Sequence, residues 1–229
     1  VHGTVNDLAM SGARPLYLSC GFIIEEGLPM ETLWQVVCAM RDAAQKCGVQ
    51  IVTGDTKVVD RGKADKILIN TAGIGQVREG LQIDPKRAQP GDKIIVSGFI
   101  AVHGIAIMSV REGLEFETEI ASDTAPLNGL VAAMCSVGKD IHVLRDPTRG
   151  GLTSALVEIA QSAGAGMHLD EASIPINEQV KGACEILGLD PLHVANEGKL
   201  VAIVPAPAAD EILAAMRAHP LGRDAAIIG

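Results

Sequence analysis

The sequence predicts two α/β domains, near residues 1–90 and 91–229, the second of them an α+β domain. Three observations predict this organisation. Stretches with strand character alternate with stretches in which apolar residues recur at helical spacing. The chain is 229 residues long, which is enough to bury two cores. Between Arg78 and Pro90 the apolar pattern gives way to polar residues and prolines, which is typical of a domain boundary.

The first half predicts strand, helix and strand, preceded by a short helix. Thr4 is a candidate cap for that first helix and Gly12 its end. A longer helix follows, with Gly48 closing it. The predicted elements are a helix at 4–11, a strand at 16–24, a helix at 30–47, a short buried strand at 49–53 and a strand at 67–75.

The second half predicts buried strands separated by helices. Its last residues resemble the start of a strand, and the first residues of the chain resemble the middle of an element, so we expect the sequence to be truncated at both ends. The predicted strands are 93–97, 142–146 and 199–204, and the predicted helices are 105–111, 124–135, 153–162, 175–187 and 208–219.

Composition excludes several classes of function. With 1 Trp, 1 Tyr, 3 Phe and a net charge of −9, the chain has neither stacking side chains nor a basic face for nucleic acid. No apolar run is long enough to cross a membrane, and no signal peptide opens the chain. The 5 cysteines form no C-x-x-C pair, which is typical of buried thiols in a reducing compartment. We therefore expect a cytoplasmic protein.

An acid, a hydroxyl and an amine follow one another in Gly54-Asp55-Thr56-Lys57, at the end of the strand predicted at 49–53. Upstream, Asp7 is the nearest comparable acid. Two such carboxylates can share a hard cation such as Mg²⁺, whose remaining ligands are usually substrate phosphates. A nucleotide site is therefore one interpretation. Two ordinary turn acids are the other, and spacing alone does not decide between them.

A second polar stretch, Asp146-Pro147-Thr148-Arg149-Gly150-Gly151, lies between a predicted strand and a predicted helix. Backbone N–H groups of a glycine turn and the start of a helix favour an anion there. The stretch lacks the Gly-Lys-Ser/Thr of a Walker loop. A tight turn with an aspartate cap is the alternative, but Arg149 favours phosphate or carboxylate binding.

Asn196-Glu197-Gly198-Lys199 forms a third polar stretch, entering a predicted strand. Glu197 and Lys199 could form a surface pair of little consequence. Alternatively, Glu197 is buried opposite Lys57 and acts as a base whose charge the lysine tunes. The sequence leaves both open. His103 is predicted to be a loop residue first and a ligand second, and Cys20 a buried structural thiol rather than a nucleophile.

In order and spacing these stretches resemble the hydrogenase maturation protein family HypE, over essentially the whole chain. Asn-Asp-Leu-Ala and Gly-Asp-Thr alone indicate the wider superfamily of aminoimidazole ribonucleotide synthetase, selenophosphate synthetase and thiamine monophosphate kinase. The resemblance to HypE is carried by the lysine after Gly-Asp-Thr and by three further segments. These are Thr-Arg-Gly-Gly (148–151), His-Gly-Ile-Ala (103–106) and Asn-Glu-Gly-Lys-Leu (196–200).

The resemblance implies a PurM-like fold, with a first domain that pairs with its copy into a shared β-barrel and a C-terminal α+β sandwich. It implies a homodimer, ATP and Mg²⁺ as cofactors, and as partners the carbamoyltransferase HypF and the HypC–HypD complex. The implied reaction is ATP-dependent dehydration of a carbamoyl group on a C-terminal cysteine to a thiocyanate. Its cyanide would pass to the iron of a [NiFe]-hydrogenase.

The resemblance also implies roles for individual residues. Asp7 and Asp55 would hold Mg²⁺, and Lys57 and Glu197 would flank the thiocarboxamide. The implied nucleotide-binding residues are Asn6, Asp7, Gly54, Asp55, Thr56, Asp146, Thr148, Arg149, Gly150 and Gly151.

The sequence departs from the family pattern at three places. The tail ending in Pro-Arg-x-Cys and the glycine-rich N-terminal segment are not in it, and Val102 replaces an acid in the segment before Gly104. A small-molecule kinase or synthetase with the same ATP site is one alternative function. A non-catalytic docking partner in a maturation complex is another.

Overall fold

The computed structural model describes residues 1–113, 120–138 and 140–229. Strands and helices alternate in two sheets, one in each half of the chain, as the apolar patterns predict. The helices are α1 (His2–Met10), α2 (Met30–Cys47), α3 (Val102–Glu112), α4 (Asn128–Val137), α5 (Gly151–Ala163), α6 (Glu178–Leu187) and α7 (Ala206–Ala218). The strands are β1 (Ala13–Glu25), β2 (Gln50–Val59), β3 (Ile67–Val77), β4 (Lys93–Val96), β5 (Val143–Arg145), β6 (Val201–Val204) and β7 (Ala226–Ile227).

The first sheet has the strand order β2-β1-β3. β1 and β2 are parallel because α2 carries the chain back to the same end of the sheet, whereas β3 returns antiparallel to β1. The helix α2 ends where the sequence predicted, since Gly48 adopts the left-handed conformation with φ 69°. Along β2 the side chains from Gln50 to Val58 are all exposed in the protomer.

The prediction that Gly54-Asp55-Thr56-Lys57 forms a loop after a short buried strand is wrong. These residues lie in the middle of β2, opposite residues 20–23 of β1. Thr53, Thr56 and Val58 favour a pleated strand, so the strand continues through them. Gly54 is needed there for close packing rather than for a turn, since a Cβ at this position would overlap the carbonyl oxygen of Cys20.

The helix α1 packs between the two halves of the chain. It begins at His2 rather than at the predicted cap Thr4, whose hydroxyl instead lies 2.5 Å from that of Thr71 on β3. Ala9 and Met10 belong to the core of the second half, and Val5 to that of the first. One short helix thus fixes the position of the first sheet against the second domain.

The second sheet has the strand order β5-β6-β4-β7, and each neighbouring pair is antiparallel. Its side chains alternate between two cores, as the period of a strand requires. Ile95 and Ala202 pack with α4 and α7 on one face, whereas Ile94 and Ile203 pack with α5 on the other. The sheet therefore lies between helices on both of its faces.

The polar segment predicted as a domain boundary is fastened to the second half. Asp84 N–H donates to the carbonyl of His142, and Arg87 pairs with Asp140 at 3.1 Å. The His142 ring lies 2.7 Å from the Asp92 carboxylate, and both side chains are buried. Within the described ranges, no helix combines the length and the apolar character that crossing a membrane requires.

Candidate functional site

A polar cavity of about 490 Å³ lies between α1, the start of α5 and the segment before β6. Four carboxylates line it together with Arg149, which the sequence singled out. The lining residues are Gly3, Asp7, Arg145, Asp146, Thr148, Arg149, Ala155, Glu158 and Glu197. Two of the three polar stretches, Asp146–Gly151 and Asn196–Lys199, therefore contribute to one site, and Gly54–Lys57 does not.

Asp7 reaches this cavity because α1 is amphipathic. Val5, Asn6 and Ala9 are buried, which leaves Asp7 on the exposed side of the helix. α1 also lies close against the sheet, because Gly73 on β3 leaves no room for a Cβ beside Leu8 and Thr4. The position of the Asp7 carboxylate is thus set by packing on its opposite face.

The loop 146–150 joins β5 to α5 and presents Thr148 and Arg149 to the cavity. Gly150 and Gly151 both have positive φ, 69° and 66°, so the chain turns sharply into the helix. No side chain of the described part of the chain caps the first turn of α5, which leaves its N–H groups available to an anion. Arg149 is exposed and forms no ion pair with any residue that the structure describes, whereas Arg145 pairs with Glu158 at 2.7 Å.

Asn196 holds the loop that carries Glu197. Its amide is buried, with 2% of the residue exposed. The amide oxygen accepts from the Ala101 N–H at 2.7 Å, and the amide nitrogen donates to the carbonyls of Pro147 and Val194, each at 3.0 Å. One side chain thereby joins the Asp146 loop, the Glu197 loop and the start of α3.

Burial raises the pKa of Glu197, as do the neighbouring charges of Asp146 and Asp7, and the charge of His103 opposes them. Burial raises the pKa of Asp146 in the same way, with Asp7 adding to it. Carboxylates that share a partly desolvated site hold their protons more tightly. Such perturbed acids in a cavity are typical of proton transfer or of cation binding.

A second cavity of about 480 Å³ adjoins the first, and the two share Gly3 and Glu197. Its wall is more apolar, because one side of α2 contributes Val36, Ala39, Met40 and Ala43. His103 and Thr124 line it opposite, together with His2. The predicted loop position of His103 is wrong, since it lies in the first turn of α3. Glu197 therefore faces both a polar and a largely apolar cavity.

The structure places the remaining predicted residues elsewhere. The Asn6 side chain is instead hydrogen-bonded to the backbone of the second domain. Its amide nitrogen donates to the carbonyl of Ala125, and its amide oxygen accepts from the N–H of Leu127. Gly54, Asp55, Thr56 and Lys57 lie on exposed β2 and do not line the cavity of Asp7. Among the described residues, no group of three or more His, Cys, Asp or Glu side chains is arranged to hold a metal ion by itself. The metal assignment to Asp7 and Asp55 thus stays a prediction.

Lys199 does not pair with Glu197, which the sequence had allowed. It pairs with Asp123 at 2.5 Å, in a segment before α4 that the sequence predicted to be helical from Thr124. Ser122 in the same segment is hydrogen-bonded to His103, with its hydroxyl oxygen 2.7 Å from the ring nitrogen Nδ1. Sequence reasoning missed His103, Arg145 and Glu158 as lining residues, because their surroundings come from tertiary contacts rather than from a motif.

We expect Gly151→Ala to destabilise the chain by about 3 kcal/mol, since a left-handed alanine costs about 1–2 kcal/mol and overpacking adds a similar amount. A Cβ at this position would lie 2.5 Å from the carbonyl oxygen of Leu192 and 2.7 Å from that of Val194. Gly164→Ala is the matched control, because Gly164 has φ 65° and open space around it. Urea unfolding of both variants measures the difference, and equal losses would contradict the packing argument.

We expect Glu197→Gln to stabilise the chain at pH 8, by no more than about 1 kcal/mol because water screens this partly exposed group. The raised pKa of Glu197 means that its charged form costs folding free energy. The carboxyl therefore contributes most stability below its unfolded pKa and loses that contribution as the pH rises through its folded pKa. Glutamine has no such loss, so the gain should vanish at pH 4. Urea unfolding at both pH values, with exposed Glu211→Gln as control, tests this, and a gain independent of pH would contradict it.

Comparison with known proteins shows the family of this chain. The family model "AIR synthase related protein, N-terminal domain" matches residues 1–77, and the family model "AIR synthase related protein, C-terminal domain" matches residues 89–229. The carbamoyl dehydratase HypE of Azotobacter vinelandii is 57% identical over 229 residues, which is 100% of this chain and 67% of that protein. The chain spans about two thirds of the length of the curated relatives it matches.

Two solved structures are similar over the whole chain. A HypE–HypF complex has a TM-score of 0.98 at 52% identity, covering 100% of this chain and 75% of the other. HypE in complex with ATP has a TM-score of 0.96 at 53% identity, covering 100% of this chain and 68% of the other.

The two-domain α/β fold and the matched residues define the AIR synthase-related, PurM-like class of proteins. Within that class, the chain belongs to the HypE family of carbamoyl dehydratases of hydrogenase maturation. The family resemblance carried by the sequence motifs is thereby confirmed.

Proposed function

We propose that the complete protein dehydrates a carbamoyl group on its C-terminal cysteine to a thiocyanate, at the expense of ATP. The cyanide would then serve as a ligand of the active-site iron of a [NiFe]-hydrogenase. The observation that carries this proposal is the convergence of Asp7, Asp146, Arg149 and Glu197 on one cavity. This combination offers groups for phosphate, for a cation and for proton removal in a single place.

The phosphates of ATP would bind between Arg149 and the uncapped first turn of α5. Arginine and helix N–H groups both favour an anion. Thr148, Gly150 and Gly151 belong to the same turn and would follow the phosphate chain. A relative whose structure contains ATP supports the choice of nucleotide. The 490 Å³ cavity that Thr148 and Arg149 line is large enough for the phosphate chain and the reacting group.

The residues present fit a magnesium ion. Asp7 and Asp146 face the cavity, and the pKa of Asp146 is raised by burial first and then by the charge of Asp7, so that a nearby cation would favour its charged form. We assign Asp7 to the metal, with Asp55 as the second predicted ligand and Asp146 close by. A bound Mg²⁺ would neutralise charge on the phosphates during their transfer.

Glu197 is the proposed base. An amide oxygen is a poor leaving group, so the reaction first makes it a phosphate ester, and the amide nitrogen must lose its protons as the phosphate leaves. The raised pKa of Glu197 moves it towards the range in which a carboxylate is an effective base at neutral pH. Lys57, the second residue assigned to the thiocarboxamide, lies on exposed β2 in the protomer.

We propose a homodimer formed through the first sheet. β2 is exposed along its length, and Val52, Val58, Leu68 and Ile74 are large apolar side chains left in solvent by one protomer. Pairing with a second copy would cover this face and give Asp55 and Lys57 a partner surface. HypF, which accompanies a related HypE in a solved complex, is the proposed donor of the carbamoyl group. The HypC–HypD complex is the proposed acceptor of the cyanide.

The experiment is intact-mass spectrometry of the full-length protein after its terminal cysteine has been carbamoylated. ATP-dependent loss of the mass of one water from the tail is the expected result. ATP turnover without that loss would favour a small-molecule kinase or synthetase. No turnover and no loss would favour a docking partner without catalytic activity.

A further inference from the structure

His103 has one ring nitrogen that contacts Ser122 and a second that no described residue bonds. Nδ1 lies 2.7 Å from the Ser122 hydroxyl, whose oxygen also accepts from the Thr124 N–H at 3.3 Å. Among the residues that the structure describes, Nε2 has no hydrogen-bond partner, although His103 lines the 480 Å³ cavity with Glu197. With the hydrogen on Nδ1 donated to Ser122, Nε2 is a proton acceptor.

Contacts at the start of α3 fix the position of the His103 ring. Ala101 precedes the helix with φ 69°, a left-handed conformation that is rare for a residue with a Cβ. Its N–H is fixed by the buried Asn196 amide, next to Glu197 in the sequence. Gly104 allows α3 to approach the same loop, since a Cβ there would overlap the Val194 side chain. His103 and Glu197 are therefore positioned by shared contacts.

The proposed dehydration must dispose of two protons from one nitrogen. As the carbamoyl oxygen bonds to the γ-phosphorus of ATP and ADP leaves, the first N–H proton leaves and its electron pair forms the C=N bond. In the second step the C–O bond breaks, its electrons depart with phosphate, and the pair of the second N–H bond completes the C≡N bond. A single carboxylate that has accepted the first proton is no longer a base for the second.

We propose that His103 relays protons from Glu197, accepting the first proton at Nε2 so that the Glu197 carboxylate is free to accept the second. This proposal rests on the proposed dehydration. The transfer crosses the cavity that both side chains line. In the protomer, His103 lines this cavity with Glu197, whereas Lys57 does not.

The electrostatics support this pairing. The charge of His103 opposes the burial that raises the pKa of Glu197, so the two groups interact. The other charged or titratable side chains lining the two cavities are His2 in the shared one and, in the adjoining one, Asp7, Arg145, Asp146, Arg149 and Glu158.

The test uses full-length protein with a carbamoylated tail, and follows the loss of water in a single turnover by intact mass. We expect His103→Ala to slow this step by about 100-fold, the usual scale for one proton-transfer group, with ATP affinity within about twofold of wild type. His103→Gln can still bond Ser122 but cannot carry a proton, so it should be equally slow. Added imidazole should restore the alanine variant, and His168→Ala, at an exposed histidine, should react normally.

The pH profile separates a relay from a structural role. Wild type should slow as the pH falls, because a relay group that already carries a proton cannot accept another, and both His103 variants should lose that inflection. If either His103→Gln or His103→Ala lost water at the wild-type rate, the relay would be overturned. If wild type itself loses no water with ATP, the proposed function fails and the relay with it. Slow variants that keep the wild-type pH inflection would assign His103 to positioning only and also overturn the relay.

Discussion

Glu197→Gln is expected to abolish the ATP-dependent loss of water from the carbamoylated tail, with a rate about 100- to 10,000-fold below wild type. Glutamine keeps the size of the side chain and its place in both cavities but cannot accept a proton. Asn196 and Gly198 hold the backbone on either side, so the substitution should leave the loop unchanged. Intact-mass spectrometry of the tail under single-turnover conditions measures the rate.

Two controls give this result its meaning. ATP affinity should be unchanged or higher, because removal of a charge near Asp7 and Asp146 relieves repulsion. Glu211→Gln changes an exposed glutamate on α7 and should react normally. A Glu197→Gln variant that dehydrates its tail at the wild-type rate would remove Glu197 from the chemistry.

Asp7→Asn and Asp55→Asn are each expected to weaken Mg²⁺-dependent ATP binding by about 10- to 100-fold or more, as is usual when a metal site loses a supporting group. An amide keeps the shape of the carboxylate but removes the charge that a hard cation requires. Calorimetric titration with ATP, with and without Mg²⁺, measures the effect. The difference from wild type should disappear when Mg²⁺ is omitted.

Asp210→Asn, at an exposed acid on α7, is the matched control and should bind ATP normally. The two test variants also address separate parts of the proposal. Unchanged binding by Asp7→Asn would contradict the site assigned to the polar cavity. Unchanged binding by Asp55→Asn alone would restrict the metal to Asp7 and its neighbours in that cavity, and would exclude β2 from it.

Helix periodicity and glycine ends were predictable from the sequence. The limits of α2 follow from its apolar spacing and from Gly48, which adopts the expected left-handed conformation. The turn at 146–151 was also predictable as a strand-to-helix connection before a helix start. In both cases local sequence decides the structure, because the relevant hydrogen bonds lie within a few residues.

Elsewhere tertiary contacts override local signals. Gly54 was predicted to mark a loop, yet it allows β2 to pack closely against the Cys20 backbone, which no local pattern reveals. Thr124 was predicted to start a helix, but Asn6 bonds the backbone at Ala125 and Leu127, and α4 begins at Asn128. A side chain 119 residues away in sequence therefore fixes that segment.

The candidate site was predictable in its residue types rather than in its geometry. Motifs identified Asp7, Asp146 and Glu197, and the structure brings all three to one cavity. They placed His103 in a family segment but gave it no role at the site, because a lone histidine has no partner at a fixed spacing in the sequence. Its proximity to Glu197 results from the Asn196 amide, which joins loops almost a hundred residues apart.

The most direct test of the proposed chemistry is the fate of the carbamoyl oxygen. Full-length protein carrying a carbamoyl group labelled with heavy oxygen would be given ATP, and the released phosphate analysed by mass spectrometry. Phosphorylation of the amide oxygen predicts that the label appears in inorganic phosphate in proportion to the thiocyanate formed. Thiocyanate formed while the phosphate stays unlabelled would contradict it, because the oxygen would then have left without ever bonding to phosphorus.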